Sequence, residues 1–169
     1  MQMTPKRSMR WLGVLFREQA TALVRLARFF VDNRDAAEDI VQEAFIRLAR
    51  SAHQIQERDR AAAYLRSIVL NLARDHNRRG LVSLRHRPPG DPAPASVEEL
   101  VAVRADQQRV VAALRELPLR QRDCLVLRYY LELGVPDIAA TLGLSTNSVK
   151  THLQRGLRAL EARLEVRGR

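Results

Sequence analysis

The chain has 169 residues, enough for one domain or two small ones, and carries a formal net charge of +10 with an isoelectric point near 11.1. That balance favours a polyanionic partner, nucleic acid first and an anionic membrane second. No apolar run approaches the ~18 residues of a membrane span, and Arg17 and Glu18 interrupt the apolar patch after the basic N-terminus too early for a signal peptide, so a cytoplasmic protein without membrane insertion is expected.

Cys124 is the only cysteine, which excludes an internal disulfide and a thiolate metal site. Its apolar neighbours predict a small buried hydrophobe. His53, His76, His86 and His152 are scattered, and no nucleophilic triad, phosphate loop or ligand-spaced cluster occurs. No catalytic residue, metal or cofactor is expected. Scarce glycine and the absence of strand-like alternation predict an all-α fold.

Residues 1–13 are basic and unpatterned, and a frayed lead-in is expected. The first helix is predicted over 14–30, with Leu15, Leu23, Leu26, Phe29 and Phe30 as apolar surface, and Asp35 as cap for the next. That second helix, 35–50, buries Ala37, Ile40, Val41, Ala44, Phe45 and Leu48 at helical spacing. Glu38, Asp39, Gln42 and Glu43 gather on its other face, either as carboxylates favoured by the helix dipole or as a docking face for a basic protein surface. Residues 51–61 read as a loop.

The third helix, about 62–79, has a buried stripe of Leu65, Ile68, Val69, Leu72 and His76. Arg66, Asn71, Arg74, Asp75, Arg78 and Arg79 lie outside it or at its flanks. Residues 80–96 then hold four of the seven prolines and read as a linker. Two small helical domains joined by a flexible tether follow from this change of composition.

From Val97 the helical pattern resumes, with Leu100, Val103, Val110, Val111 and Leu114 apolar and Pro118 closing the segment. Residues 119–132 form a further helix with Cys124, Leu125, Leu127 and Leu131 available to the core. Gly134, Val135 and Pro136 lead into a short helix whose inner face is Ile138, Ala139 and Leu142. Gly143 ends that helix and Ser145 caps the next. There Val149, Leu153, Leu157, Leu160 and Leu164 form one apolar stripe. The opposite face carries Thr146, Asn147, Ser148, Lys150, Thr151, His152, Gln154 and Arg155, without a carboxylate. A short helix, a glycine turn and a donor-rich second helix make the helix-turn-helix pattern, whose second helix enters the major groove.

The motifs AEDIVQEAFIRL (37–48), AYLRSIVLNLARDHNRR (63–79) and LRELPLRQRDCLVLRYYLELGVPDIAATLGLSTNSVKTHLQRGLRAL (114–160), in that order around a proline-rich linker, resemble the extracytoplasmic-function sigma factors of the sigma-70 family. The resemblance implies a region 2 domain over 14–80, a linker over 81–105, a region 4 domain over 106–165 and a tail over 166–169. It implies that Asp39, Gln42 and Glu43 dock on the β′ clamp helices of RNA polymerase core. Asn71, Arg74, Asp75, Arg78 and Arg79 would recognise the −10 promoter element and assist its melting. Thr146, Asn147, Ser148, Lys150, Thr151, His152 and Arg155 would read the −35 element, while region 4 also meets the β flap. An anti-sigma factor is a further candidate partner. Tyr64 stands where many members have tryptophan, and Gly134-Val135-Pro136 replaces a commoner polar approach; both bear on promoter preference. A stand-alone helix-turn-helix regulator and a helical interaction module are the rival readings.

Overall fold

The computed structural model describes residues 5–31, 33–52, 55, 58–84 and 98–167. These form seven α-helices: α1 (Pro5–Arg28), α2 (Arg34–Ser51), α3 (Arg58–Leu84), α4 (Glu98–Arg115), α5 (Leu119–Leu125), α6 (Val135–Leu142) and α7 (Thr146–Arg167). A single π turn, Val126–Tyr130, prolongs α5. Among the described residues there is no strand, as an all-α composition demands.

The N-terminal unit packs α1 and α3 on α2. Leu15, Leu23 and Leu26 from α1, Leu48 from α2, and Leu65, Val69 and Leu70 from α3 are each 2% exposed or less. Ala37, Ala44, Ala61 and Ala73, all fully buried, let the helices approach closely. Truncating one of the leucines to alanine costs about 2–5 kcal/mol, because the close-packed neighbours cannot refill the space.

Several boundaries differ from the sequence reading. α1 begins at Pro5, well inside the expected lead-in, since Trp11 and Leu12 find apolar cover against the core. Asn33, not Asp35, caps α2: its side chain accepts from Asp35 N at 2.8 Å, leaving Asp35 in the first turn. α2 runs to Ser51 and α3 starts at Arg58, so the expected loop is shorter; His53 lies outside the described residues. α3 also continues to Leu84, past Gly80 into the expected linker. The linker's prolines, with His86, lie outside the described residues.

Within α3, His76 is exposed rather than part of the buried stripe, and Arg66, expected outside, is only 8% exposed. For Arg66 the reason is tertiary. The C-terminal helices cover one flank of α3, with α6 lying directly against it.

The C-terminal unit is held by Ala113, Leu114, Leu117, Cys124, Leu125, Val126, Leu127, Ile138 and Val149. Burial pushes the Cys124 thiol up to about 11, as expected of a small core hydrophobe. Val110, expected in the stripe of α4, is 37% exposed. In the turn after α5, Glu132 takes a φ of 55°, the left-handed region that side chains avoid. Arg128 steadies that turn by donating to the Leu133 carbonyl at 2.9 Å.

Candidate nucleic-acid and polymerase interfaces

The α6–α7 pair builds a tight corner from local chemistry. Gly143 adopts φ 64° and ψ 38°, and both its N–H and that of Leu144 donate to the Ala139 carbonyl. Ile138 and Val149 are fully buried where the helices cross, and Ala139 is small enough to permit it. Ser145 caps α7: its Oγ accepts from Ser148 N at 3.1 Å and lies 2.9 Å from Ser148 Oγ.

This corner presents Thr146, Asn147, Lys150, Thr151 and Arg155 to solvent, with Ser148 and His152 half-buried. The Thr151 hydroxyl donates back to the Asn147 carbonyl at 3.0 Å. Thr146, Asn147, Lys150 and Arg155 therefore carry the outward donors. No acidic residue occurs between Asp137 and Glu161. The N-terminal end of the helix dipole adds partial positive charge to the same face.

The apolar stripe of α7 departs from expectation at one turn. Leu157 is 42% exposed, whereas Gly156 is buried, and a Cβ there would meet Leu125 Cδ1 at 3.1 Å. Leu153, Leu160 and Leu164 are half-buried. The glycine lets α7 settle closely on α5, rotating Leu157 toward solvent.

On α3, Asn71, Asp75, Arg78 and Arg79 are exposed, while Arg74 is half-buried. The Asn71 amide has a partner: its Oδ1 accepts from Arg74 Nη1 at 3.2 Å. Arg74 Nη2 also donates to the carboxylate of Asp123 on α5. Asn71 and Arg74, with Ser67, Arg120 and Thr141, line a polar cavity of about 170 Å³ between the two units.

On α2, Asp39 and Gln42 are exposed, and Glu43 is tied to Arg47 at 2.7 Å. Glu38 is similarly tied to Arg34 at 2.8 Å, so two of the three carboxylates on this face are paired within their own helix. Gln42 also borders a cavity of about 480 Å³ between α1 and α2, with Phe16, Val24 and Arg34. α2, α3 and α7 thus each carry an exposed polar face.

Sequence reading missed three buried polar residues: Arg66, Asp123 and Thr141. Arg66 Nε donates to Thr141 Oγ1 at 3.1 Å, linking α3 to α6. Asp123 had a signal available. It stands four residues before the core residue Leu127, on the face of α5 that the stripe assigns to the interior. Among the described residues no group of His, Cys, Asp and Glu could hold a metal, and no helix is long and apolar enough to cross a membrane.

The family model described as Sigma-70 region 2 matches residues 15–80, and that described as Sigma-70, region 4 matches residues 107–160. The RNA polymerase sigma-E factor of Streptomyces avermitilis is 32% identical over 151 residues, covering 89% of this chain and 83% of that protein. The RNA polymerase sigma factor SigV of Bacillus subtilis is 30% identical over 143 residues, covering 83% and 82%. Among solved structures, CnrH in complex with the cytosolic domain of CnrY superposes with a TM-score of 0.71 at 26% identity, over 94% of this chain and 90% of that one. The sigma factor RpoE of Bartonella quintana, solved with the anti-sigma factor NepR, shares the fold with a TM-score of 0.68 at 21% identity, over 91% and 96%.

Proposed function

The chain belongs to the sigma-70 family as an RNA polymerase sigma factor of the extracytoplasmic-function type, and on that premise we propose how its three polar surfaces divide the work of promoter recognition. Sigma factors bind RNA polymerase core and promoter DNA and are initiation factors rather than enzymes. The outward face of α7 reads the −35 element. Lys150 and Arg155 supply charge to phosphates, and Thr146, Asn147 and His152 supply donors and acceptors at base edges or backbone. Ser148 and Thr151, whose hydroxyls are engaged locally, shape the helix start.

The α3 surface takes the −10 element, with Asn71, Arg74, Asp75, Arg78 and Arg79 against the separated strand. Unstacking a base costs a few kcal/mol, more than this aromatic-poor surface can offset alone. Energy shared from the polymerase makes melting feasible. That energy enters through α2, where Asp39, Gln42 and Glu43 face the β′ clamp helices. Region 4 meets the β flap, and an anti-sigma factor is a further proposed partner. All of this takes place in the cytoplasm, where the polymerase works.

One observation carries the −35 assignment: a carboxylate-free, solvent-facing helix start held rigidly by the Gly143 corner and the Ser145 cap. Lys150→Ala tests it. Loss of one phosphate contact lowers affinity for −35 duplex and flattens the log K against log salt slope by about one unit. An unaltered slope removes Lys150 from the phosphate contacts.

A further inference from the structure

The polar cavity of about 170 Å³ draws its walls from three helices: Ser67, Asn71 and Arg74 from α3, Arg120 from α5 and Thr141 from α6. Each of these side chains can donate a hydrogen bond, and no carboxylate lines the space. Much of that donor capacity is unspent. Arg120 is half-buried and forms no hydrogen bond or ion pair with any described residue. Thr141, 2% exposed, accepts from Arg66 at 3.1 Å, which leaves its own hydroxyl proton to give. The Asn71 Oδ1 is taken by Arg74, so its amino group is left over, and Arg74 Nε is buried without a partner.

The charge is uneven as well. Asp123, the carboxylate behind this wall, is bonded to Arg74 and lies within the electrostatic reach of Arg120. One acid against two guanidiniums leaves the cavity positive. Buried donors that face no acceptor are costly, and a half-buried cation more so, until an acceptor arrives. Size limits what that acceptor is. At about 30 Å³ per molecule the space holds on the order of five waters, well below the ~300 Å³ at which sites for larger ligands begin. A tetrahedral oxyanion fits such a volume. A phosphate within a nucleic-acid strand brings its sugars and bases with it and does not.

We propose that this cavity is a binding site for one free tetrahedral oxyanion of the phosphate class. Arg120 and Arg74 supply the charge, and Ser67, Asn71 and Thr141 complete the hydrogen bonds around the oxygens. The ion joins α3, α5 and α6, because each helix contributes a donor. The site needs none of the DNA readings given above, although Asn71 and Arg74 are shared with the −10 surface.

Thermal unfolding of the full chain tests it, with inorganic phosphate exchanged for chloride at constant ionic strength. Phosphate should raise the midpoint along a saturating curve, by roughly 3–6 °C at ten times its Kd. Arg120→Gln keeps a polar side chain and loses the charge, so phosphate affinity should fall about tenfold or more. Ser67→Ala removes only a hydroxyl and should weaken it severalfold; this variant carries the test if Arg120→Gln loses its helices by far-UV circular dichroism. Arg158→Gln removes an exposed arginine outside the cavity and should bind phosphate as wild type does. A midpoint that responds equally to phosphate and chloride overturns the site. So does a phosphate response that folded Arg120→Gln and Ser67→Ala retain in full, since the ion then binds elsewhere on a basic chain. Dimethyl phosphate separates the free ion from a strand phosphate: a weaker response than orthophosphate is expected, and an equal or stronger one overturns the assignment to a free ion.

Discussion

Ser145 permits stability and DNA recognition to be separated at a single atom. Its Oγ accepts the Ser148 N–H at 3.1 Å, satisfying one of the free donors at the start of α7. Ser145→Ala removes that acceptor and costs about 1 kcal/mol. Thr146 and Asn147, in the turn that frays, lose their fixed positions, so −35 affinity falls modestly as well. Ser145→Asp keeps an acceptor in the same place and opposes the helix dipole, a gain of roughly 0.3–1 kcal/mol. Yet its charge sits beside the helix start, where a phosphate is expected. Urea unfolding should therefore rank Ser145→Ala below wild type and Ser145→Asp at or slightly above it. Fluorescence anisotropy with a −35 duplex should place Ser145→Asp weakest of the three, by about tenfold or more at low salt. If Ser145→Asp is as unstable as Ser145→Ala, the cap does not act through its oxygen. If it binds duplex as tightly as wild type, this helix start does not face the phosphates.

Other expectations are narrower. Asp39→Arg with Gln42→Ala reverses one exposed charge and removes one exposed amide on α2; affinity for the β′ clamp should drop with the thermal unfolding midpoint unmoved, and equal affinity would remove α2 as the docking face. Gly143→Ala meets no atom within 4 Å but must hold a φ of 64°, so the cost is backbone strain alone, about 1–2 kcal/mol in urea unfolding. Burial pushes the Asp123 carboxyl above its ordinary range, against the opposing pull of Arg74, Arg122 and Arg120. The folded chain then holds that proton more tightly than the unfolded chain does, so this residue's contribution falls as pH rises from the ordinary aspartate range through the raised pKa, and is flat beyond. Comparing urea midpoints of wild type and Asp123→Asn across that range should show the slope disappear in the variant; an identical pH dependence would mean that Asp123 titrates normally.

The parts of the fold that could be read in the sequence are those settled by neighbours along the chain. Ile138, Ala139, Gly143, Ser145 and Val149 lie within a dozen residues, and their steric and capping demands are local, so the corner was legible in detail. The buried face of α2 was legible for the same reason, with Ala37, Ile40, Val41, Ala44 and Leu48 all buried and Phe45 half-buried. Where two local solutions competed, the reading slipped: Asn33 and Asp35 are both good caps, and the chain uses the earlier one.

What lay beyond reach was set by residues far away. Arg66 is buried because Thr141, 75 positions on, comes to rest against it, and Arg74 pairs with Asp123 across 49 positions. Periodicity on α3 cannot reveal that its polar flank is covered by another unit. The Gly156 contact with Leu125 is of the same kind: a leucine stripe at ideal spacing predicts Leu157 inside, and only the close approach to α5 turns it outward. Composition suggested a tether between two units, and it was silent on whether they touch.

Delivery of RNA polymerase to promoters by this chain, through two elements read at once, is open to experiment. Its most direct test is run-off transcription with purified core, on templates recovered by mapping the transcripts induced when the chain is overproduced. The chain is expected to co-elute with core, initiation at those promoters to depend on adding it, and alteration of either the −10 or the −35 element to abolish the product. A chain that neither co-elutes with core nor directs initiation at any of those promoters would contradict it.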